Sequence, residues 1–144
     1  MVGRQGAALA AEDTAALKWV ADSLDVLIRS SKGQERLTLR QALFFLAVAS
    51  ARQKGHSVDL NHVRERHPIG RSIEKSKNTL LEATPQNPDA LGWLRQEEDP
   101  TDRRTRWFVV TDTGEAVLRT LPEKPRALTM AMVLQRLRAA RGAQ

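Results

Sequence analysis

Apolar residues recur at intervals of three and four near the start of the chain, with polar residues between them. This spacing places them on one face of a helix, which we predict from Glu12 to about Ser30. Gly33 follows the last periodic residue, at a position where glycine commonly ends a helix. The predicted apolar stripe comprises Leu17, Val20, Ala21, Leu24, Leu27 and Ile28.

A second helix is predicted to begin at Thr38, because Gln41 follows at the spacing of a capping box. The segment that it opens is apolar on nearly all sides, so we expect this helix to be central in the fold. Its predicted stripe comprises Leu39, Ala42, Leu43, Leu46 and Ala49, widened by Phe44, Phe45 and Val48.

Two shorter helical segments follow. The first is predicted to end at His67, because Pro68 disfavours the helical conformation in the residue before it. The second is predicted from Arg71 to Leu81, beyond a turn at Ile69-Gly70. Two short helices joined by a tight turn that contains glycine form a helix-turn-helix.

A hairpin is predicted between Gly92 and Gly114. Two extended runs, residues 92–97 and 105–110, contain apolar and aromatic residues that suit strands. The turn between them, Asp99-Pro100-Thr101-Asp102, combines a proline that presets φ with aspartates that bond nearby backbone donors. Arg103 and Arg104 come next, so the hairpin carries two cations near its tip.

The remaining elements are a loop and two helices. A proline-rich loop, residues 84–91, separates the helix pair from the hairpin. After the hairpin, Thr111 is the predicted N-cap of a helix that runs to about Leu121. A last amphipathic helix is predicted over residues 126–141.

The hairpin resembles the wing of the multiple antibiotic resistance (MarR) family of winged-helix regulators. Residues 99–104, D-P-T-D-R-R, match the family's D-P-x-D-x-R wing tip. Residues 110–114, V-T-D-T-G, match its L-T-x-x-G element with valine in place of leucine, and Gly92-Trp93-Leu94 is similar to its G-L-V entry into the wing. The resemblance covers about residues 37 to 121.

The chain departs from the family pattern in two places. The family passes from the recognition helix to the wing within a few residues, whereas residues 84–91 intervene in this chain. The family also has apolar residues between the positions of Ile73 and Leu80, where this chain has Ser76 and Lys77. We therefore expect the recognition helix to pack lightly and the wing to be presented differently.

The charge of the chain favours an acidic partner. Its net charge is +6 and its isoelectric point is near 10.5, which favours nucleic acid or another anionic surface. The absence of cysteine excludes disulfides, thiolate catalysis and Cys-ligated zinc. The longest apolar run, residues 42–49, is too short to span a membrane, and no signal peptide is recognisable, so we expect a cytoplasmic protein without a membrane partner.

The helix from Arg71 to Leu81 carries polar and cationic residues on one face, at positions i, i+4 and i+7. Ile73 and Leu80 are predicted to point the other way, toward the helices behind. In a major groove, arginine and lysine can reach guanine, asparagine can pair with adenine and hydroxyls can hold phosphates. Glu74 would repel phosphates on that side unless it pairs locally or accepts from cytosine. The candidate DNA contacts of this helix are Arg71, Ser72, Lys75, Ser76 and Asn78.

The hairpin tip supplies the other candidate contacts, because arginine is attracted to the negative potential of a minor groove. The family resemblance implies that Asp102 braces an arginine and that Arg104 contacts DNA. The candidate residues of the wing are Asp102, Arg103, Arg104 and Arg106. Solvated surface charge is the alternative interpretation of both the helix and the wing.

No constellation in the sequence indicates catalysis or metal binding. His56, His62 and His67 are six and five residues apart, so no two lie one helical turn apart as ligands would. There is no Ser-His-Asp signature, P-loop or dinucleotide fingerprint. We therefore expect neither an enzyme nor a bound cofactor or metal.

These observations predict an α+β, mostly α, winged helix-turn-helix fold with helical dimerisation extensions at both ends. Residues 37–121 form the predicted DNA-binding domain, and residues 1–36 and 122–144 supply helices of the dimer interface. The expected function is sequence-specific binding of double-stranded DNA at an inverted repeat by a homodimeric transcriptional regulator. Repression is the commoner activity in the family.

Two further possibilities belong to this prediction. The resemblance implies a small aromatic effector, for which Trp19, Arg29 and Phe44 are possible pocket residues, although Phe44 suits the core better. The alternative function is a winged helix that mediates protein–protein contact in a larger assembly. Cations at Arg71, Lys75 and Lys77 argue against that alternative.

Overall fold

The computed structural model describes residues 11–31, 37–52, 58–125 and 138–142. These residues form helices and one two-stranded antiparallel sheet, so the predicted α+β, mostly helical class is confirmed. The elements are α1 (Ala11–Ser30), α2 (Leu39–Arg52), α3 (Leu60–Arg66), α4 (Ile73–Ser76), a 3₁₀ helix (Lys77–Leu80), β1 (Leu94–Glu98), β2 (Arg106–Val110) and α5 (Asp112–Arg119). This order is compatible with a winged helix.

The chain divides into two compact units. One contains the chain ends, residues 1–25 and 121–144, and the other contains residues 26–120. Within the first unit, Trp19 donates a hydrogen bond from Nε1 to the carbonyl oxygen of Pro122 at 3.0 Å. The predicted C-terminal helix lies mostly outside the described residues, of which 138–142 are helical.

The second unit is organised around α2. The predicted capping box is present: Thr38 donates its backbone N–H to Gln41 Oε1 at 2.8 Å, and Gln41 donates its own to Thr38 Oγ1 at 3.1 Å. Phe44 and Phe45 are fully buried and pack against aromatic rings of the hairpin segment. The ring centroids are 5.0 Å apart for Phe44–Phe108 and 4.9 Å apart for Phe45–Trp93.

The buried face of α2 differs from the predicted stripe. Leu39 is 72% exposed, whereas the polar Gln41 is 4% exposed. A helix that is apolar nearly all round does not indicate by its pattern which side faces the core. The packing of Phe44 and Phe45 decides the orientation, because these side chains bury the largest surfaces.

The sheet is a two-stranded hairpin, and one further residue, Val58, pairs with its second strand. β1 and β2 pair with Leu94 opposite Val110 and Glu98 opposite Arg106. Val58, just before α3, forms an isolated antiparallel bridge to Phe108, whose backbone N–H donates to the Val58 carbonyl at 2.9 Å. This bridge was not predicted from the sequence, and it attaches the start of α3 to the hairpin.

The recognition segment, residues 71–81, is not one regular helix as predicted. Its α-helical part is limited to α4, and the 3₁₀ helix follows directly. Ile73 and Leu80 are fully buried, as expected, but only polar side chains stand between these two anchors. The carbonyls of Thr79 and Leu81 accept from the amides of Leu91 and Gly92 at 2.7 and 2.9 Å, so the returning chain satisfies them in place of further helix.

The hairpin leads into α5 through a cap at Thr111. Thr111 Oγ1 accepts from the backbone N–H of Gly114 at 3.1 Å and donates to the carbonyl of Gly92. A Cβ on Gly114 would overlap the carbonyl oxygen of Trp93 and lie 2.9 Å from Val110 Cγ1. The close approach of α5 to the hairpin therefore requires glycine at this position.

Candidate nucleic-acid interface

The recognition segment exposes four of its five predicted DNA contacts to solvent. Lys75 and Asn78 are both exposed, and they line a shallow cavity of about 490 Å³. Arg71 and Ser72 are exposed in the turn before α4. Ser76 is only half-buried, and its carbonyl oxygen accepts a hydrogen bond from Gln41 Nε2 at 2.8 Å.

The loop at residues 84–91 closes one side of that cavity. Thr84 and Asn87 exchange two backbone hydrogen bonds, at 3.2 and 3.0 Å, around the Pro85-Gln86 turn. Asn87 donates from Nδ2 to the carbonyl oxygen of Asn78 at 2.9 Å, which attaches the loop to the recognition segment. Gln86 and Asn87 therefore lie beside Lys75 and Asn78. The sequence indicated a turn here but gave no signal for where it docks.

The wing tip is held by its two aspartates. Asp99 Oδ1 accepts from the backbone N–H and the hydroxyl of Thr101, both at 2.8 Å, and these bonds lower the pKa of Asp99. Asp102 accepts from the backbone N–H of Arg104 at 3.0 Å and from the Thr105 hydroxyl at 2.9 Å. Asp102 thus braces the backbone of Arg104. Among the described residues, its carboxylate forms no hydrogen bond or ion pair with an arginine side chain. Arg103 and Arg104 are exposed.

The strands of the wing carry paired charges behind the tip. Arg106 Nη2 lies 3.8 Å from Glu98 Oε1 on the neighbouring strand, and both side chains are more than half exposed. Exposed pairs of this kind stabilise a fold by about 0–1 kcal/mol, so Arg106 is loosely held. The second pair, between Arg95 and Glu97 at 2.7 Å, includes a hydrogen bond that raises the pKa of Arg95.

A second cavity, of about 270 Å³, lies between α3, the recognition segment and the hairpin. Of the residues that line it, only Arg104 and Arg106 are DNA contacts predicted from the sequence, whereas Arg64 and Lys77 were not among the predicted contacts. Glu74 also lines this cavity and pairs with Arg64 at 3.0 Å, and local pairing is one of the two alternatives that the sequence left open for it. Arg64 lies seven residues before Arg71, on the preceding helix, so the spacing of residues within the recognition helix or the wing could not identify it.

The pKa of Lys77 is lowered in this cavity. Burial of the ammonium group is the main cause, and the nearby Arg106 and Arg64 contribute, while Glu74 opposes them. Lys77 Nζ also donates a short hydrogen bond to the backbone carbonyl of Glu74. The cations around this cavity therefore disfavour one another.

Neither a cluster of metal-ligating side chains nor a membrane-spanning helix occurs in the part of the chain that the structure describes. Within residues 11–31, 37–52, 58–125 and 138–142, no group of three or more His, Cys, Asp or Glu side chains could hold a metal ion. In the same ranges, no helix is both long and apolar enough to cross a membrane. Phe44, a possible effector-pocket residue, belongs to the core.

Comparison with known proteins adds no relative on which to base a function. No protein-family model, no curated protein and no solved structure matches this chain. The resemblance to the MarR family therefore stays a prediction that depends on the wing motif and the order of the elements.

Proposed function

We propose that this chain is a MarR-like transcriptional regulator, most simply a repressor, that binds double-stranded DNA sequence-specifically. The observation that carries the proposal is the pairing of two exposed cationic features in one compact unit. These are the recognition segment, with Lys75 and Asn78, and the wing tip, with Arg103 and Arg104. A major-groove element beside a minor-groove wing is the arrangement that such features suit.

The recognition segment reads base edges in this proposal. Ile73 and Leu80 are buried and attach the segment to the core, so Lys75 and Asn78 can point into solvent. Lysine can donate to guanine O6 and N7, and the asparagine amide can both donate to and accept from adenine. The loop at 84–91 extends the same surface, because Gln86 and Asn87 flank these side chains.

The wing supplies a contact of lower sequence specificity. Its aspartate-braced turn fixes the backbone of Arg104 before DNA arrives, which reduces the entropy lost on binding. Two adjacent arginines at the tip suit the negative potential of a narrow minor groove.

A two-fold dimer completes the proposal. Leu17, Val20 and Ile28 are 58%, 48% and 60% exposed, and they recur along one side of α1. Pairing of two copies through this stripe would bury it and present two recognition segments to successive major grooves.

The competing function, protein–protein contact through the winged helix, has less support. Among the described residues, the large exposed apolar side chains are Leu17, Val20, Ile28 and Leu39, and none of these lies between residues 58 and 120. A recognition surface used for protein contact is expected to expose apolar or aromatic anchors. The described surface offers cations and amides in their place.

Salt dependence of DNA binding tests the proposed function. Fluorescence anisotropy of a labelled duplex should show binding at low salt and a steep loss of affinity between about 50 and 200 mM, because each phosphate contact releases counterions. The variant Lys75→Ala should reduce the affinity more than Arg119→Ala, which removes an exposed cation from α5. Absence of binding at low salt would contradict the proposal.

A further inference from the structure

Four cationic side chains surround the cavity between α3, the recognition segment and the hairpin. Arg64 comes from α3, Lys77 from the 3₁₀ helix, and Arg104 and Arg106 from the hairpin. We call this cavity, of about 270 Å³, the cationic cleft. Its carboxylates are Asp59, which caps α3 by accepting from the backbone N–H of His62 at 2.8 Å, and Glu74.

Arg64 is only partly satisfied in the cleft. Its Nη2 atom is buried and lies 3.0 Å from Glu74 Oε1, but the angle between the groups is not that of a hydrogen bond. The Arg64 side chain is 26% exposed, whereas that of Glu74 is 64% exposed. The Arg64 guanidinium is therefore mostly buried and keeps an unused donor. The Glu74 carboxylate, in contrast, remains accessible to solvent. A buried donor without an acceptor is unfavourable, so a better anion at this place would be bound.

The position of the cleft indicates which anion this is. Its walls are the recognition segment, which suits a major groove, and the hairpin, which suits a minor groove. Neighbouring grooves of duplex DNA are separated by one sugar–phosphate strand, so a protein that enters both must straddle that strand. Arginine side chains bind phosphate oxygens with paired, charge-assisted hydrogen bonds. The same donors bind carboxylates of the protein when no phosphate is present.

We propose that the cationic cleft binds a phosphodiester group of the DNA strand between the two grooves, and that this phosphate displaces Glu74 from Arg64. The inference rests on the proposed function and adds a site that the motifs did not reveal. Glu74 acts as an internal counter-ion that offsets part of the positive charge of the cleft in the free protein. Its presence weakens DNA binding without regard to sequence, because a phosphate contact is the same at every base pair.

The test measures the affinity for a random-sequence duplex by anisotropy over a range of salt concentrations. Glu74→Gln should tighten binding several-fold more than Glu65→Gln, a matched loss of one exposed carboxylate on α3 outside the cleft. Arg64→Met should weaken binding about tenfold or more and lower the salt slope by about one. Arg66→Met, which removes a neighbouring cation that does not line the cleft, should have a smaller effect.

A double variant tests whether Glu74 acts through Arg64. In the Arg64→Met background, Glu74→Gln should tighten binding no more than Glu65→Gln does. Circular dichroism checks folding, and if Arg64→Met does not fold, the comparison of Glu74→Gln with Glu65→Gln decides alone. If the wild-type protein binds duplex but Glu74→Gln and Glu65→Gln change the affinity equally, the phosphate site in the cleft is refuted and the proposed function stands. A wild-type protein that binds no duplex overturns both.

Discussion

Gln41 on α2 donates a hydrogen bond from Nε2 to the carbonyl oxygen of Ser76, 2.8 Å away and 35 residues later in the chain. The other end of the same amide, Oε1, accepts from the backbone N–H of Thr38 and caps the helix. One buried side chain therefore fixes both the start of α2 and the last residue of α4. This bond sets the position of the recognition segment on the core.

Replacing Gln41 by glutamate should separate these two roles. Gln41→Glu keeps an acceptor for Thr38 but removes the donor to Ser76, which leaves a carboxylate facing a carbonyl oxygen. We expect a loss of about 1–3 kcal/mol in the free energy of unfolding, measured by urea denaturation, and weaker DNA binding. Thr38→Val removes only the other half of the cap and should cost about 1 kcal/mol with a smaller effect on DNA. A Gln41→Glu protein as stable as the wild type would contradict this role.

Gly114 should not tolerate a side chain. Gly114→Ala places a Cβ against the carbonyl oxygen of Trp93, and backbone atoms cannot move aside as a flexible side chain would. Overpacking of this kind costs about 1–3 kcal/mol, which urea denaturation would measure. Thr113→Ala, at an exposed position of the same helix, is the control and should stay within about 0.5 kcal/mol of the wild type. Equal stability of the two variants would refute the close packing of α5 on the hairpin.

Lys75 and Asn78 should affect specific binding more than non-specific binding. We expect Lys75→Ala and Asn78→Ala each to lose about 1–3 kcal/mol on the preferred site, since base contacts carry the sequence information. Arg104→Ala should weaken binding mainly at sites with a narrow A·T minor groove. Competition between the preferred site and a scrambled duplex measures the difference. Equal losses on both duplexes in Lys75→Ala would remove its assigned role.

The exposed stripe of α1 should hold the dimer together. Leu17→Glu combined with Val20→Glu introduces charge into the stripe, so we expect monomers and much weaker binding to DNA. Lys18→Glu places a glutamate on the same helix beside the stripe and is the control. Light scattering at micromolar concentration gives the mass. A wild-type mass near 16.1 kDa, that of one chain, would exclude the proposed dimer.

Local signals in the sequence predicted the local parts of the fold. Three such parts depend on residues two or three positions apart in the chain: the capping box of Thr38 and Gln41, the N-cap at Thr111 and the turn at the wing tip. Burial of Ile73 and Leu80 also followed from helical spacing, although the helix between them proved shorter. These features need no knowledge of the tertiary structure.

The parts that were missed join distant segments. The bridge from Val58 to Phe108 involves one residue, too few for an alternating strand pattern. The bond from Asn87 to Asn78 and the approach of Arg64 to the hairpin depend on how a loop and a helix dock. Leu39 was wrongly assigned to the buried stripe because an apolar helix does not show which face is covered.

Selection of binding sites from a random duplex library tests the central claim most directly. We expect enrichment of an inverted repeat whose half-site centres lie about one helical turn, roughly 10 base pairs, apart. The enriched site should bind at least about 10³-fold more tightly than a scrambled duplex at physiological salt. A library without an enriched sequence, or equal affinity for the selected and scrambled duplexes, would contradict sequence-specific DNA binding by this protein.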